Sequence, residues 1–168
     1  MLAISRVDTT SDVDLVRDLL QEYFAWVLAL AAGSCEAPTF QGYDQELADL
    51  PGLYAPPKGR LLLATWDGQP AGCIALKAHD AAEGELKRLY VRPAFRGLHI
   101  GKRLVKALIE EARKSGYRRL KLDSHVSMEN AHAIYRAAGF KDVGAPADFP
   151  EQFRPIVVFM ELEIEPQE

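Results

Sequence analysis

A chain of 168 residues suits one domain, and 48% hydrophobic with 26% charged residues supports a buried core, which argues against a disordered chain. The formal charge is −4, yet residues 86–121 hold twelve Lys and Arg against two acids, Glu110 and Glu111. That segment is suited to an anion, whereas the acidic remainder can attract a cation.

Leu2 to Val7 alternates apolar and polar residues as a short strand does. Ser11 is placed to cap a helix carrying Val13, Val16, Leu19, Leu20, Phe24 and Val27 at amphipathic spacing, with Gly33 as its stop. A shorter helix is expected over Asp44 to Leu50, before Pro51-Gly52 and Pro56-Pro57 break the backbone. Arg60 to Trp66 and Ala71 to Ala78 read as a hairpin about Asp67-Gly68. Glu85 to Val91 follows as a strand with Leu86, Leu89 and Val91 apolar, and Pro93 ends it. Ile100, Leu104, Ala107, Leu108 and Ala112 mark a long helix closed by Gly116. Leu120 to Leu122 predicts a short strand, Met128 to Ala138 a helix stopped by Gly139, and Ile156 to Ile164 a last strand. The expected class is therefore mixed α/β or α+β, a sheet with helices on its faces, in one domain over residues 1–168.

Two cysteines, Cys35 and Cys73, are too few for a disulfide framework and read as small buried hydrophobes in a reducing, cytoplasmic setting. The amino end lacks a signal pattern. The longest apolar run, Phe24 to Gly33, is about half of the roughly 20 residues that cross a bilayer, so no membrane segment is expected.

The chemistry-bearing stretch is Arg96-Gly97-Leu98-His99-Ile100-Gly101-Lys102, between a predicted strand and a predicted helix. A helix start exposes unpaired N–H groups and the positive end of the macrodipole, and so favours a phosphate. Gly97 and Gly101 remove Cβ atoms where a ligand or a packed helix approaches, while Arg96, Lys102 and Arg103 add positive charge. A P-loop needs four residues before its Gly-Lys and then Ser or Thr; here three intervene and Arg103 follows. A G-x-G-x-x-G dinucleotide fingerprint is also missing.

Within its surroundings, LYVRPAFRGLHIGKRLV resembles the coenzyme-binding segment of the GNAT superfamily of N-acetyltransferases, and AIYRAAGF resembles that family's later helix and strand. The similarity covers roughly residues 60–164. It implies a strongly twisted mixed sheet, splayed between its fourth and fifth strands, with acetyl-CoA as cosubstrate in the splay. By position, the backbone around Leu89, Tyr90 and Val91 would pair with pantetheine. The loop Arg96, Gly97, Leu98, His99, Ile100, Gly101 and Lys102 would hold the diphosphate, with His99 standing where the family usually has an inner glycine.

The resemblance also implies direct acetyl transfer to a primary amine of a small molecule or peptide, in a ternary complex. The amine must lose a proton, since a lysine-like ammonium has a pKa near roughly 10.4, and the departing thiolate benefits from a donor. Tyr135, four residues before Gly139-Phe140, matches the family tyrosine that approaches the sulfur. Glu85 matches a water-relaying glutamate and is expected to be the base through a raised pKa, with Glu83 and Asp123 behind it. Pairing with Lys87 or Arg88 is the plainer role for Glu85. Met128, not Asn130, stands where relatives carry an asparagine. No metal is expected, because the four histidines show no ligand spacing.

Acceptor specificity is expected from residues 23–57 and 144–156, where Tyr23, Trp26, Phe40, Tyr43, Tyr54, Phe149 and Phe153 offer walls. Asp44, Glu46 and Asp148 offer acids there, suiting a small cationic amine or a peptide. A homodimer is compatible with this reading. The rival is a non-catalytic acyl-CoA-binding module. Nucleic-acid binding through Arg113, Lys114, Arg118, Arg119 and Lys121 is disfavoured by the acidity elsewhere and the few aromatics nearby.

Overall fold

The computed structural model describes residues 1–30 and 41–167; Gly33, Cys35 and Phe40 lie outside them. In chain order the elements are β1 Leu2–Arg6, α1 Thr10–Leu30, α2 Tyr43–Asp49, β2 Arg60–Trp66, β3 Gln69–Ala78 and β4 Glu83–Val91. They continue as α3 Ile100–Lys114, β5 Arg119–His125, α4 Glu129–Ala137, β6 Lys141–Val143 and β7 Val157–Glu163. The strands form one sheet in the order β1-β2-β3-β4-β5-β7-β6.

Local chemistry accounts for several boundaries. The Thr9 hydroxyl accepts the Asp12 N–H at 3.1 Å, so the cap of α1 is Thr9, two residues before the expected Ser11. Asp67 (φ 49°) and Gly68 (φ 80°) both take positive φ, as a tight hairpin turn between β2 and β3 requires. Strand β5 runs beyond the expected Leu120–Leu122 because β7 pairs with it from Arg119 to His125. That pairing holds the polar Asp123-Ser124-His125 extended despite their weak strand propensity. The three-residue β6 was implied by the resemblance of AIYRAAGF but not by periodicity; it is exposed throughout and exists as an edge partner of β7.

Two apolar layers sandwich the sheet. Val16, Leu19, Leu20, Phe24 and Val27 of α1 pack with Tyr43, Tyr54 and Tyr90 on one face. On the other, Ile100, Leu104, Val105 and Leu108 of α3 pack with Leu86, Leu120, Leu122 and Tyr135. Glu111 fastens α3 to the sheet edge, accepting from Arg6 Nε at 2.9 Å and Arg60 Nε at 3.0 Å.

The sheet opens at the only parallel pair among the described residues. Strands β4 and β5 are in register at Glu83↔Arg119, Gly84↔Leu120 and Glu85↔Lys121, and then diverge. Just beyond, β4 carries a bulge: its ladder to β3 passes from Ala75↔Lys87 to Cys73↔Tyr90, leaving Arg88 and Leu89 opposite one residue. Arg88 sits at φ 63°. The extra residue reverses the strand's facing, so Leu86 joins the α3 layer while Tyr90, an even number of residues later, joins the α1 layer. This is the splayed sheet anticipated between the fourth and fifth strands.

Candidate active site

Two cavities meet at the splay. One, of about 560 Å³, runs from the bulge to the start of α3 and is lined by Leu89, Tyr90, Val91, Arg96, Gly97, His99, Ile100, Gly101, Lys102 and Tyr135. Leu98 alone among the loop residues singled out from the sequence lies off its wall. The other, of about 820 Å³, lies beside α2 and the β7 end of the sheet, and Glu85 lines it. Among the described residues, only Lys87, Arg88 and Asp123 line both.

The loop before α3 is built as an anion receptor. Gly97 (φ 85°) and His99 (φ 60°) both turn left-handed, which swings the chain from β4 into the helix. No side chain caps α3, so the N–H groups of its first turn are left for another acceptor. Arg96 is oriented by its Nε donating to the Val91 carbonyl at 3.0 Å and by stacking over Trp26, 5.4 Å from the ring centroid. Gly101 serves packing: a Cβ there would stand 3.1 Å from Ile134 Cδ1 of α4. His99 is exposed and tolerates a backbone shape that glycine adopts more readily.

Tyr135 projects from α4 into the same cavity, its ring 5.8 Å from that of Phe140. Burial pushes its phenol well above the ordinary tyrosine range, with Tyr23 and Asp123 adding to the effect, so it stays protonated. Its hydroxyl bonds to no described residue. Beside it, the Ser124 hydroxyl lies 3.0 Å from His132 Nε2 and 3.5 Å from Met128 Sδ, a buried network that sequence reasoning did not find. His125 is also buried, and its Nδ1 accepts the Ser127 N–H at 3.1 Å.

Glu85 differs from expectation. It pairs with Lys87 at 3.6 Å and His79 at 3.3 Å. Burial alone would raise its pKa, but Lys87, Lys77, Lys121 and the His79 hydrogen bond hold it below the usual carboxylate range. The raised value expected from partial burial is therefore corrected: four cationic or donating neighbours outweigh desolvation. Arg88, the other partner considered for Glu85, pairs elsewhere. Its Nε and Nη2 both donate to Glu46 of α2 at 2.8 Å, and its guanidinium lies 5.0 Å from the ring centroids of Phe24 and Tyr43.

Of the acids proposed for an acceptor, Glu46 reaches the larger cavity but is taken up by Arg88, while Asp44 and Asp148 are exposed and line neither cavity. Asp123 stands where the cavities join and makes no ion pair with a described residue. Tyr54 and Phe149 line the larger cavity, and Tyr23, Trp26 and Tyr43 the smaller. Phe153 packs into the α1 layer.

The basic patch near the end of α3 is partly neutralised: Arg119 meets Glu163 at 2.9 Å, Lys121 meets Glu83 at 3.3 Å, and Arg113 pairs with Glu110. At the exposed β3–β4 turn, His79, Asp80 and Glu83 bring ligand atoms within 4.8 Å of one another. Asp80 there accepts the Ala82 and Glu83 N–H groups at 2.8 Å each. No helix among the described residues is long and apolar enough to cross a membrane.

A splayed mixed sheet with an uncapped helix start facing the opening defines an acyl-CoA transferase class. The chain belongs to the GNAT acetyltransferase family, whose model matches residues 15–140. An uncharacterized N-acetyltransferase of Schizosaccharomyces pombe is 36% identical over 170 residues, spanning 97% of this chain and 95% of that protein. Among solved structures, an acyl-CoA N-acyltransferase of Klebsiella pneumoniae superposes with a TM-score of 0.73 at 26% identity, covering 98% of this chain and 99% of that one. The PaiA N-acetyltransferase of Thermoplasma acidophilum, solved with coenzyme A, shares the fold at a TM-score of 0.72 and 20% identity over 97% of this chain and 99% of its own. The protein is an acetyl-CoA-dependent acetyltransferase.

Proposed function

We propose that the chain moves the acetyl group of acetyl-CoA directly to a primary amine in a ternary complex, with the coenzyme in the smaller cavity and the acceptor in the larger. The observation that carries this reading is the meeting of the two cavities at Lys87, Arg88 and Asp123, between the uncapped start of α3 and the α2 side. Thioester and amine entering from opposite sides would meet at the bulge. There Arg88 and Leu89 are out of the β3 register, and the backbone on the open side of the bulge receives the pantetheine amides and the thioester carbonyl. The first turn of α3, with Arg96 and Lys102, takes the diphosphate.

Asp123, not Glu85, receives the ammonium. It is unpaired and faces both cavities, whereas Glu85 is committed to Lys87 and His79 and lines only the acceptor side. The ammonium loses one proton through Asp123 to solvent, and the freed lone pair attacks the thioester carbonyl. The nitrogen then gives up a second proton, the C–S bond breaks, and the thiolate is protonated with Tyr135 as donor. Tyr135 recovers the nitrogen's second proton, so one proton leaves overall. The test compares Asp123→Asn and Glu85→Gln by thiol release across pH. Asp123→Asn is expected to lower kcat/KM about 100-fold, as loss of a general base does. Glu85→Gln is expected to keep the acidic limb of the pH profile. The reverse pattern would return the base to Glu85.

A further inference from the structure

The register of three strands sets the chemistry along one wall of the larger cavity. Asp123 of β5 lies directly opposite Phe159 of β7, and Phe159 lies opposite Val143 of β6. Directly paired residues point to the same face of a sheet, so these three form one row across the strands, and all three line the larger cavity. The adjacent row on that face, Lys121, Glu161 and Lys141, is charged throughout. The apolar strip thus begins at the unpaired Asp123 carboxylate and runs out to the sheet edge. Phe149, from the β6–β7 connection, stands edge-on to Phe159, with ring centroids 5.1 Å apart and planes at 78°. Both rings line the cavity and are only half-buried, and Val143 is 39% exposed. Perpendicular rings offer an entering aromatic ring both a face and an edge.

We infer that the acceptor is an aralkylamine, a primary amine that carries an aromatic ring on a short alkyl linker and no second charge. Its ammonium lies at Asp123 and its ring against Phe159 and Phe149, with Val143 under the far edge. This rests on the reading above that the larger cavity takes the acceptor. Neighbouring strands are about 4.8 Å apart, so the ring sits roughly one strand spacing from the nitrogen, the reach of a linker of about two carbons. A diamine fits this row poorly: its second ammonium would leave water over Phe159 and Val143, with no carboxylate in the row to meet it. An amino acid fits poorly as well. Its carboxylate would stand beside Asp123, and the nearby Lys87, Lys121 and Arg88 are already paired with Glu85, Glu83 and Glu46.

The experiment measures thiol release by the full chain with acetyl-CoA and, in turn, phenethylamine, ethylamine, putrescine and aspartate. Phenethylamine is expected to exceed each of the others at least about 30-fold in kcat/KM, the discrimination an apolar pocket gives for a few buried carbons. Phe159→Leu keeps an apolar wall but removes the ring. It is expected to lower the preference for phenethylamine over ethylamine about 5-fold, the size of one aromatic pair, through KM rather than kcat. Val143→Ser, at an exposed position on the edge strand, puts folding at little risk and is expected to lower that preference about 3-fold. Equal use of phenethylamine and ethylamine, a preference for putrescine or aspartate, or a preference that both variants leave intact would overturn the inference while acetyl transfer stands. Release with no member of the panel would remove the assignment of the larger cavity to an amine acceptor, and the inference with it.

Discussion

Burial and pairing act in opposite directions on the ionisable side chains around the splay. Tyr135 is buried with no hydrogen-bond partner among the described residues, and its phenol stays protonated well beyond neutral pH. The Cys73 thiol is likewise pushed up to about 12, mainly by burial, which leaves it inert as a nucleophile. Glu46 and Glu85 go the other way, because cations outweigh the desolvation each suffers. For Tyr135 the consequence is kinetic: Tyr135→Phe is expected to lower kcat about 100-fold while changing coenzyme affinity less than about 3-fold, read by single-turnover kinetics and calorimetry. Turnover unchanged at saturating substrate would remove Tyr135 from the chemistry. Its spacing to Gly139-Phe140 marked Tyr135 in the sequence. The Arg88–Glu46 pair left no such mark, because its members are 42 residues apart and meet only through folding. Period-2 patterning did carry one overlooked signal. Leu86 and Leu89 stand three apart in a strand, which is the signature of the bulge that turns Arg88 into the site.

At the level of elements, that pair ties α2 to β4. Removing one partner of a buried ion pair strands the other, at a cost of about 3 kcal/mol. Glu46→Gln is therefore expected to lower unfolding free energy by about that amount in denaturant titration; a loss below about 0.5 kcal/mol would show the pair to be dispensable. Burial alone would raise the Glu46 pKa, but the Arg88 hydrogen bonds and charge carry it below the ordinary glutamate value of 4.5. The folded value is depressed, so this contribution is complete above about pH 4.5 and is lost as pH falls through the lower folded value. Below pH 4.5 the stability of Glu46→Gln should fall less steeply than that of the parent chain. Helices and most strands were legible from periodicity, since each buries one apolar face. The ends of β5 and all of β6 were not, because pairing with β7 rather than their own residues makes them strands.

Across the whole molecule, the basic run of residues 86–121 spans the two strands that diverge and the helix between them. Several of its cations are spent on acids of the sheet, while Arg96 and Lys102 remain at the mouth of the coenzyme cavity. A net charge of −4 therefore coexists with a local anion receptor. The order β3-β4-β5-β7, with three residue pairs as the sole parallel contact among the described residues, lets one cavity serve each side of the opening. Residue motifs implied the splay and the loop; the second cavity and its polar lining required the tertiary arrangement. The position of the diphosphate in a crystal of this chain with coenzyme A tests the account most directly. Its oxygens are predicted within hydrogen-bonding distance of the backbone N–H groups between Gly97 and Lys102, with the sulfur beside Tyr135. A diphosphate seated away from the start of α3, or a sulfur pointing out of the splay, would contradict it.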